Sequence, residues 1–252
     1  MANKGFGPSN PLAIITGGTT GIGAATAREL SRRGYDLLLV GLDDPNQIER
    51  ELNSENSKVR VIAIDLAQPE SAALLIINTA VEIFGRIDLL VNSAGVISHK
   101  AVGDVVESDW DLIFAINVKA AFFLSQQAHP HLVATGGSII NISSTNALRP
   151  ALHNQLYDSM KAALNNLTQG LALEFRESGV RVNAVAPGGV RTDLSRRWLK
   201  DYLGRTPTES DLDTPSVAEP KQIATVVAAL ASSDMAWVNG VILSADGGYG
   251  LS

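Results

Sequence analysis

The chain has 252 residues, 45% of them hydrophobic and 18% charged, and its 20 Lys and Arg against 26 Asp and Glu leave a formal net charge of −6. That composition is globular, and with no basic run long enough to neutralise a phosphate backbone it excludes a nucleic-acid partner. The chain has no cysteine, which excludes disulfides, a thiolate nucleophile and Cys-based zinc and fits a reducing cytoplasm, while the polar first ten residues and the lack of any run of about 18 apolar residues exclude export and a membrane span.

Branched apolar runs recur at Leu12–Ile15, Leu37–Val40, Val59–Ile64, Leu89–Val91, Ser138–Ile142, Val180–Ala186 and Val241–Leu243, with amphipathic stretches between them. Continuous rather than alternating apolar runs mean strands covered on both faces, so the expectation is α/β: a doubly wound Rossmann-type fold with a parallel sheet of about seven strands. No composition shift divides the chain, and residues 1–252 read as one domain.

The first run leads straight into Thr16-Gly17-Gly18-Thr19-Thr20-Gly21-Ile22-Gly23, after which Ala24–Arg33 reads as helix. Glycines let the backbone turn tightly there, and the helix N-terminus offers free N–H groups and a favourable dipole to a pyrophosphate. A helix is expected over Ser108–Ala128, with Trp110, Ile113, Phe114, Ala121 and Leu124 as its buried side and Asn117 set among apolar residues, where a buried amide needs a partner. Met160, Leu164, Leu167, Leu171 and Phe175 mark a second long helix. Near its start Tyr157 and Lys161 are four residues apart, so their side chains share a face. An ammonium beside a phenol favours the phenolate and draws a general acid/base from a pKa near ~10 toward neutral pH; an exposed pair on a solvated helix is the plain alternative. Residues 188–220, rich in charge, Thr and Pro, read as a long lid without regular structure. His129 and His131, two apart, share no helical face, and no metal site is expected. His153 reads as a surface histidine, and Arg191, Arg196, Arg197 and Arg205 share the lid with Asp193, Asp201, Glu209, Asp211 and Asp213 as a mixed, solvated face.

The glycine turn has three residues between Gly17 and Gly21, where the usual dinucleotide fingerprint has one. It is followed in order by Asp65, Asn92-Ser93-Ala94-Gly95, Asn117, Ser143-Ser144, Tyr157-Asp158-Ser159-Met160-Lys161 and Pro187-Gly188-Gly189-Val190-Arg191-Thr192. Together these motifs, spread over nearly the whole chain, resemble the classical short-chain dehydrogenases/reductases. The resemblance implies an NAD(P)-dependent oxidoreductase acting between a secondary alcohol and a ketone, such as a 3-oxoacyl thioester, a polyol or a sugar. It implies Tyr157 as acid/base, Lys161 as the residue that lowers its pKa and holds the ribose, and Ser144 as donor to the substrate oxygen. For Asn117 it implies a helix distortion that supports a proton relay, against the alternative of a core asparagine bonded to backbone. Gly17, Thr19, Gly21, Ile22, Gly23, Ala94 and Gly95 fall in the cofactor motifs. Asp65 with the Leu66 N–H matches the adenine contact, though Asp65 also suits capping the helix near Pro69. Asn92 braces the central strands, and Pro187, Gly188, Val190 and Thr192 match the segment that orients the nicotinamide.

The absence of a basic residue at 41–44, or at Thr19 and Thr20, favours NAD, with NADP possible. Asp43 is the carboxylate expected to reach the ribose, although the family's usual aspartate aligns nearer Gly41. Phe122, Phe123, Ala162, Ala163 and Leu173 extend the apolar surface of the two long helices, and in the family such helices form a subunit interface. A homo-oligomer, tetramer or dimer, is expected. A nucleotide-binding redox sensor without turnover is the alternative function.

Overall fold

The structure, a computed structural model, describes residues 10–42, 45–53 and 57–251. All seven branched runs form strands: β1 (Leu12–Thr16), β2 (Asp36–Val40), β3 (Val59–Ile62), β4 (Leu89–Asn92), β5 (Ser138–Ile142), β6 (Arg181–Pro187) and, last in the chain, β9 (Ile242–Ala245). They build one sheet in the order β3-β2-β1-β4-β5-β6-β9, and every neighbouring pair is parallel. The connecting helices are α1 (Gly21–Arg32), α2 (Pro45–Leu52), α3 (Pro69–Phe84), α4 (Glu107–Phe114), α5 (Ala120–Thr135) and α6 (Gln155–Glu174).

Strand alternation splits the interior into two cores. Leu12, Ile14, Leu38, Leu90, Ile139 and Val182 face one side, where they meet Ile76 of α3, Leu124 of α5 and Leu171 of α6. Their sequence neighbours Ala13, Ile15, Leu37, Leu39, Leu89 and Ile140 face the other, against Ala27 and Leu30 of α1 and Val227 further along the chain. Each fully buried Leu or Ile contributes about 1.5–3 kcal/mol, so the strands that carry them to both faces hold the layers together. Only at the sheet edges does the pattern thin, where Arg60 of β3 is exposed and Leu243 of β9 is 38% exposed.

Two expected elements differ. The helix expected over Ser108–Ala128 is three pieces: α4, a π-helical turn at Ala115–Lys119, and α5, which continues to Thr135. The wide turn changes the helical phase, so one stripe cannot run from end to end. Upstream, Ile113 is buried with Leu156 and Met160 and Phe114 packs beside them, while Trp110, expected inside, is 49% exposed. Residues 188–220, expected to be irregular, contain β7 (Gly189–Val190) and β8 (Val217–Ala218) paired in parallel, α7 (Asp193–Leu203) and α8 (Glu209–Leu212). No residue of α7 is fully buried, although Leu194, Trp198, Leu199, Tyr202 and Leu203 recur at helical spacing, and Thr192 caps it by accepting a hydrogen bond from Ser195 N at 3.2 Å. The chain then enters α9 (Pro220–Ala231), which lies against α1.

Candidate active site

Beside β1 the strand order reverses: β2 and β3 extend to one side and β4, β5, β6 and β9 to the other. Loops diverge at such a point and leave a crevice at the carboxyl ends of the strands. Here the loops after β1, β2, β4, β5 and β6, together with α7, enclose one cavity of about 670 Å³. Thr16, which the sequence motifs did not single out, closes its floor. Its hydroxyl accepts hydrogen bonds from Ser93 N and Ala94 N, both at 3.1 Å, and so ties the loop after β4 to the end of β1. A threonine ending the strand just before the glycine turn is the signal that was available.

Gly17, Thr19, Gly21, Ile22 and Gly23 all line this cavity. A β-carbon at Gly23 would stand 2.0 Å from the Gly17 carbonyl oxygen, so the turn closes only with glycine there. No side chain caps α1 and no acidic residue occupies its first turn. The helix therefore presents its free N–H groups and positive dipole end to the cavity, which fits the pyrophosphate of a dinucleotide. Beyond β2, Gly41 and Leu42 continue the wall. A β-carbon at Gly41 would meet the Thr19 hydroxyl at 2.3 Å, so Thr19 occupies the space an aspartate there would need. Asp43 lies outside the described residues. Asp65 and Leu66 line the same end. Asp65 accepts a hydrogen bond from Ala67 N at 2.9 Å and does not cap α3, whose N-cap is Gln68.

Ala94, Gly95, Pro187, Gly188, Val190 and Thr192 line the cavity, whereas Asn92 and Asn117 do not. Both stand behind its wall. Asn92 Nδ2 donates to Asn141 Oδ1 at 2.8 Å, and Asn141 Nδ2 donates to Thr168 Oγ1 at 2.9 Å, which links β4, β5 and α6 through a buried polar chain. Asn117 clasps the backbone of Val96: its Oδ1 accepts from Val96 N at 3.0 Å and its Nδ2 donates to Val96 O at 2.8 Å. The side chain thus makes the backbone contact of the plainer reading while sitting in the π-helical turn that the resemblance implied. Asn117 Oδ1 and Lys161 Nζ flank Gly95, 3.0 and 3.6 Å from where its β-carbon would be.

Ser144, Tyr157 and Lys161 meet in the cavity wall. Ser143 is turned away, donating to Asn165 Oδ1 at 2.5 Å. Ser144 Oγ accepts from Asn146 N at 3.1 Å, and Ser144 lines the same stretch of wall as Tyr157. Tyr157 and Lys161 are 7% and 4% exposed, so they are not a solvated surface pair. Lys161 Nζ donates to Ile142 O at 2.8 Å and stands 5.7 Å from the centre of the Tyr157 ring. The expected lowering of the phenol is reversed in this structure. Burial pushes Tyr157 up to about 12, against the opposing influence of Ser144 and with help from Asp158. Burial also draws Lys161 down to about 8, because a low-dielectric site penalises each group's charged form. Asp158, itself buried, accepts from Ala151 N at 2.7 Å and Asn154 Nδ2 at 2.8 Å, holding the chain before α6 in place. His153 is exposed with a φ of 60° and is edge-on to His99 at 5.7 Å.

The Lys161 depression has a sign that can be measured. Between about pH 8 and 10.5 the unfolded chain binds more protons at this lysine than the folded one, so its cost is full below pH 8 and fades as pH rises toward 10.5. Lys161→Met is expected to stabilise the fold at pH 7 by ~1–3 kcal/mol after loss of the Ile142 hydrogen bond. In urea unfolding the gain should shrink at pH 9.5. A variant that gains nothing at pH 7, or gains more at the higher pH, would show that burial does not penalise the charge.

Comparison with known proteins agrees with this geometry. The family model described as Enoyl-(Acyl carrier protein) reductase matches residues 17–250. A probable tetrahydroxynaphthalene reductase of Zymoseptoria tritici is 31% identical over 94% of this chain and 93% of its own length. Acetoin dehydrogenase from Enterobacter cloacae superposes with a TM-score of 0.85 at 32% identity, covering 97% of both chains. L-sorbose reductase from Gluconobacter frateurii, solved with NADPH and L-sorbose, gives a TM-score of 0.86 at 28% identity over 96% of this chain and 97% of that one. Relatives that are reductases and dehydrogenases do not favour the sensor alternative. With a family match over almost all of its length and the glycine turn opening on the cavity that holds Tyr157 and Lys161, the chain belongs to the classical short-chain dehydrogenases/reductases and is an NAD(P)-dependent oxidoreductase.

Proposed function

We propose that the protein interconverts a secondary alcohol and a ketone, with Tyr157 as general acid/base, Ser144 as donor to the reacting oxygen, Lys161 as the cation beneath the phenol and Asn117 as the support of a proton relay. The observation that carries this reading is the meeting of Ser144, Tyr157 and Lys161 in the wall of the large cavity, with the Lys161 ammonium 5.7 Å from the centre of the phenol ring. A bound nicotinamide dinucleotide supplies or accepts the hydride. Its pyrophosphate fits the N-terminus of α1 at Gly17, Thr19, Gly21, Ile22 and Gly23. Asp65, Leu66, Ala94 and Gly95 border the remainder of the cofactor site, with Pro187, Gly188, Val190 and Thr192 at the nicotinamide end and Asn92 bracing the strands behind.

Reduction needs a proton at the substrate oxygen. A phenol held up to about 12 keeps its proton at neutral pH, so Tyr157 Oη stands ready as the acid. Asn146 N occupies one lone pair of Ser144 Oγ, which leaves the Ser144 O–H to donate toward an oxygen gaining negative charge. The proton then returns to Tyr157 through Lys161, whose exchange with water passes Asn117 and the π-helical turn. In the oxidising direction the phenolate is required, and there the Lys161 ammonium favours it.

The entire chain acts as one domain, and residues 188–220 form the substrate lid. Its setting is cytoplasmic, in keeping with a chain that has no cysteine. Exposed Leu173 at 68% and Phe122 at 39%, on α6 and α5, support assembly as a homo-oligomer, tetramer or dimer, through that face. The cofactor is NAD in preference to NADP. Thr19, Thr20, Gly41, Leu42, Asp65 and Leu66, which line the far end from Tyr157, include a carboxylate and no cation that would pair with a 2′-phosphate.

Three measurements test these assignments. Tyr157→Phe keeps the ring and removes the proton, so turnover should fall by roughly 10²–10⁴-fold while dinucleotide binding persists; activity within a few-fold of the parent defeats the acid/base role. The ratio of kcat/KM for NAD over NADP should exceed one, and a parent that prefers NADP refutes the charge argument. Light scattering should give a mass at least twice the 26.6 kDa of one chain, and a monomer at micromolar concentration removes the assembly.

A further inference from the structure

We propose that Arg197 recognises an oxyanion of the substrate, so that the carbonyl or alcohol this enzyme acts on carries a carboxylate, sulfonate or phosphate group. The inference rests on the acid/base reading above and adds to it the class of molecule that reaches Tyr157. The four arginines of the lid looked alike in the sequence, and the structure separates them. Arg191 is held by Glu209 at 3.0 Å, Glu219 at 2.9 Å and Asp213 at 3.5 Å. Arg196 is held by Glu209 at 2.8 Å and Arg205 by Asp211 at 2.8 Å. Arg197 pairs with no carboxylate among the described residues, although Asp193 and Asp201 are one turn away on either side of it along α7. It is exposed, and it lines the same cavity as Ser144 and Tyr157.

The neighbouring side chain holds the helix that carries Arg197 in place. Trp198, also in the cavity wall, stacks on Tyr202 with ring centres 5.2 Å apart and an interplanar angle of 10°, and His99 meets both rings edge-on at 5.8 Å. This cluster pins α7 to the loop after β4, so the backbone that carries Arg197 is braced against the cavity. The described charged residues of the lining are Asp65, Lys161, Asp193 and Arg197. Lys161 is buried and committed to Ile142 O. Arg197 is therefore the cation with unused donors, and its planar fork matches two oxygens of an anion at once. Asp193 in the same wall confines an anion to the far side of the guanidinium. A second oxyanion, the cofactor pyrophosphate, enters the same cavity, but the uncapped N-terminus of α1 already offers it donors.

The test compares an acid with its neutral ester. Protein loaded with reduced nicotinamide dinucleotide is titrated calorimetrically with 4-acetylbenzoate and with methyl 4-acetylbenzoate, and both ketones are assayed for turnover. The acid is expected to bind tighter by on the order of 10- to 100-fold, the scale of a charged hydrogen-bonded pair. Arg197→Ala should abolish that preference and Arg197→Lys should keep part of it. Equal affinities in the parent, a preference that survives Arg197→Ala, or no saturable binding of either compound at millimolar concentration overturns the proposal. So does an Arg197→Ala variant that loses dinucleotide affinity while the parent shows no acid preference, which assigns the guanidinium to the pyrophosphate. Turnover that disappears in Tyr157→Phe but never favours the acid overturns the Arg197 contact and leaves the acid/base reading standing. Acid-selective, Arg197-dependent binding with turnover untouched in Tyr157→Phe supports the anion site and refutes the acid/base reading instead.

Discussion

Lys161 places a charge where water barely reaches it, and the site is built around meeting that cost. At 4% exposure, with burial drawing it down to about 8, its ammonium depends on the few groups brought against it. The protein acceptor is the carbonyl of Ile142, 2.8 Å away at the last residue of β5. That carbonyl is in place only if α6 and β5 keep their register. Ser143, the next residue, secures it by donating to Asn165 one helical turn beyond Lys161. The same register puts Ser144 against Tyr157, so a buried charge, a strand end and the reacting hydroxyls stand or fall together.

The cavity has a rigid floor and a lightly held wall. Beneath it, Thr16 ties the ends of β1 and β4, and the chain from Asn92 through Asn141 to Thr168 ties β4, β5 and α6, all in buried surroundings where an unpaired amide would cost ~1–3 kcal/mol. Opposite it, α7 has no buried residue and is held by its Thr192 cap, the exposed ion pairs of Arg191 and Arg196, and the rings around Trp198. Exposed ion pairs are worth little each. The proposed acid/base groups thus stand where the fold is most constrained, whereas α7 carries side chains that change at little cost to stability.

That division also decides what the sequence discloses. The strands were readable because the central apolar runs are buried on both faces, and the glycine turn because Gly23 admits no β-carbon. Ser144, Tyr157 and Lys161 were readable from spacing and resemblance, and their meeting in one cavity wall agrees. The helix α7 was not, although Leu194, Trp198 and Tyr202 recur at helical spacing, because the dense mixed charge of the segment masks that period. Nor was the exposure of Trp110, because a π-helical turn follows it and a single 3.6-residue period was carried through. The direction of the Tyr157 shift depends on burial outweighing the opposing influence of Ser144, a balance of distances that residue types do not contain.

At the far end of the cavity Thr19 and Gly41 form a coupled pair, and the coupling accounts for an apparent gap in the family pattern. An aspartate at position 41 would drive its β-carbon to 2.3 Å from the Thr19 hydroxyl, so this glycine turn and an acidic residue ending β2 exclude each other unless Thr19 moves. Discrimination between a ribose hydroxyl and a 2′-phosphate then cannot rest on a carboxylate at that position. In the proposed preference for NAD it rests on the field at this end, where Asp65 supplies negative charge and no cation among the described lining residues offsets it. A 2′-phosphate would enter with roughly −2 charge and find neither a pairing guanidinium nor a helix N-terminus, since α1 directs its own toward the pyrophosphate. A glycine at position 41 is therefore compatible with the proposed preference for NAD, because a carboxylate contact to the ribose is local and exclusion of a 2′-phosphate is electrostatic.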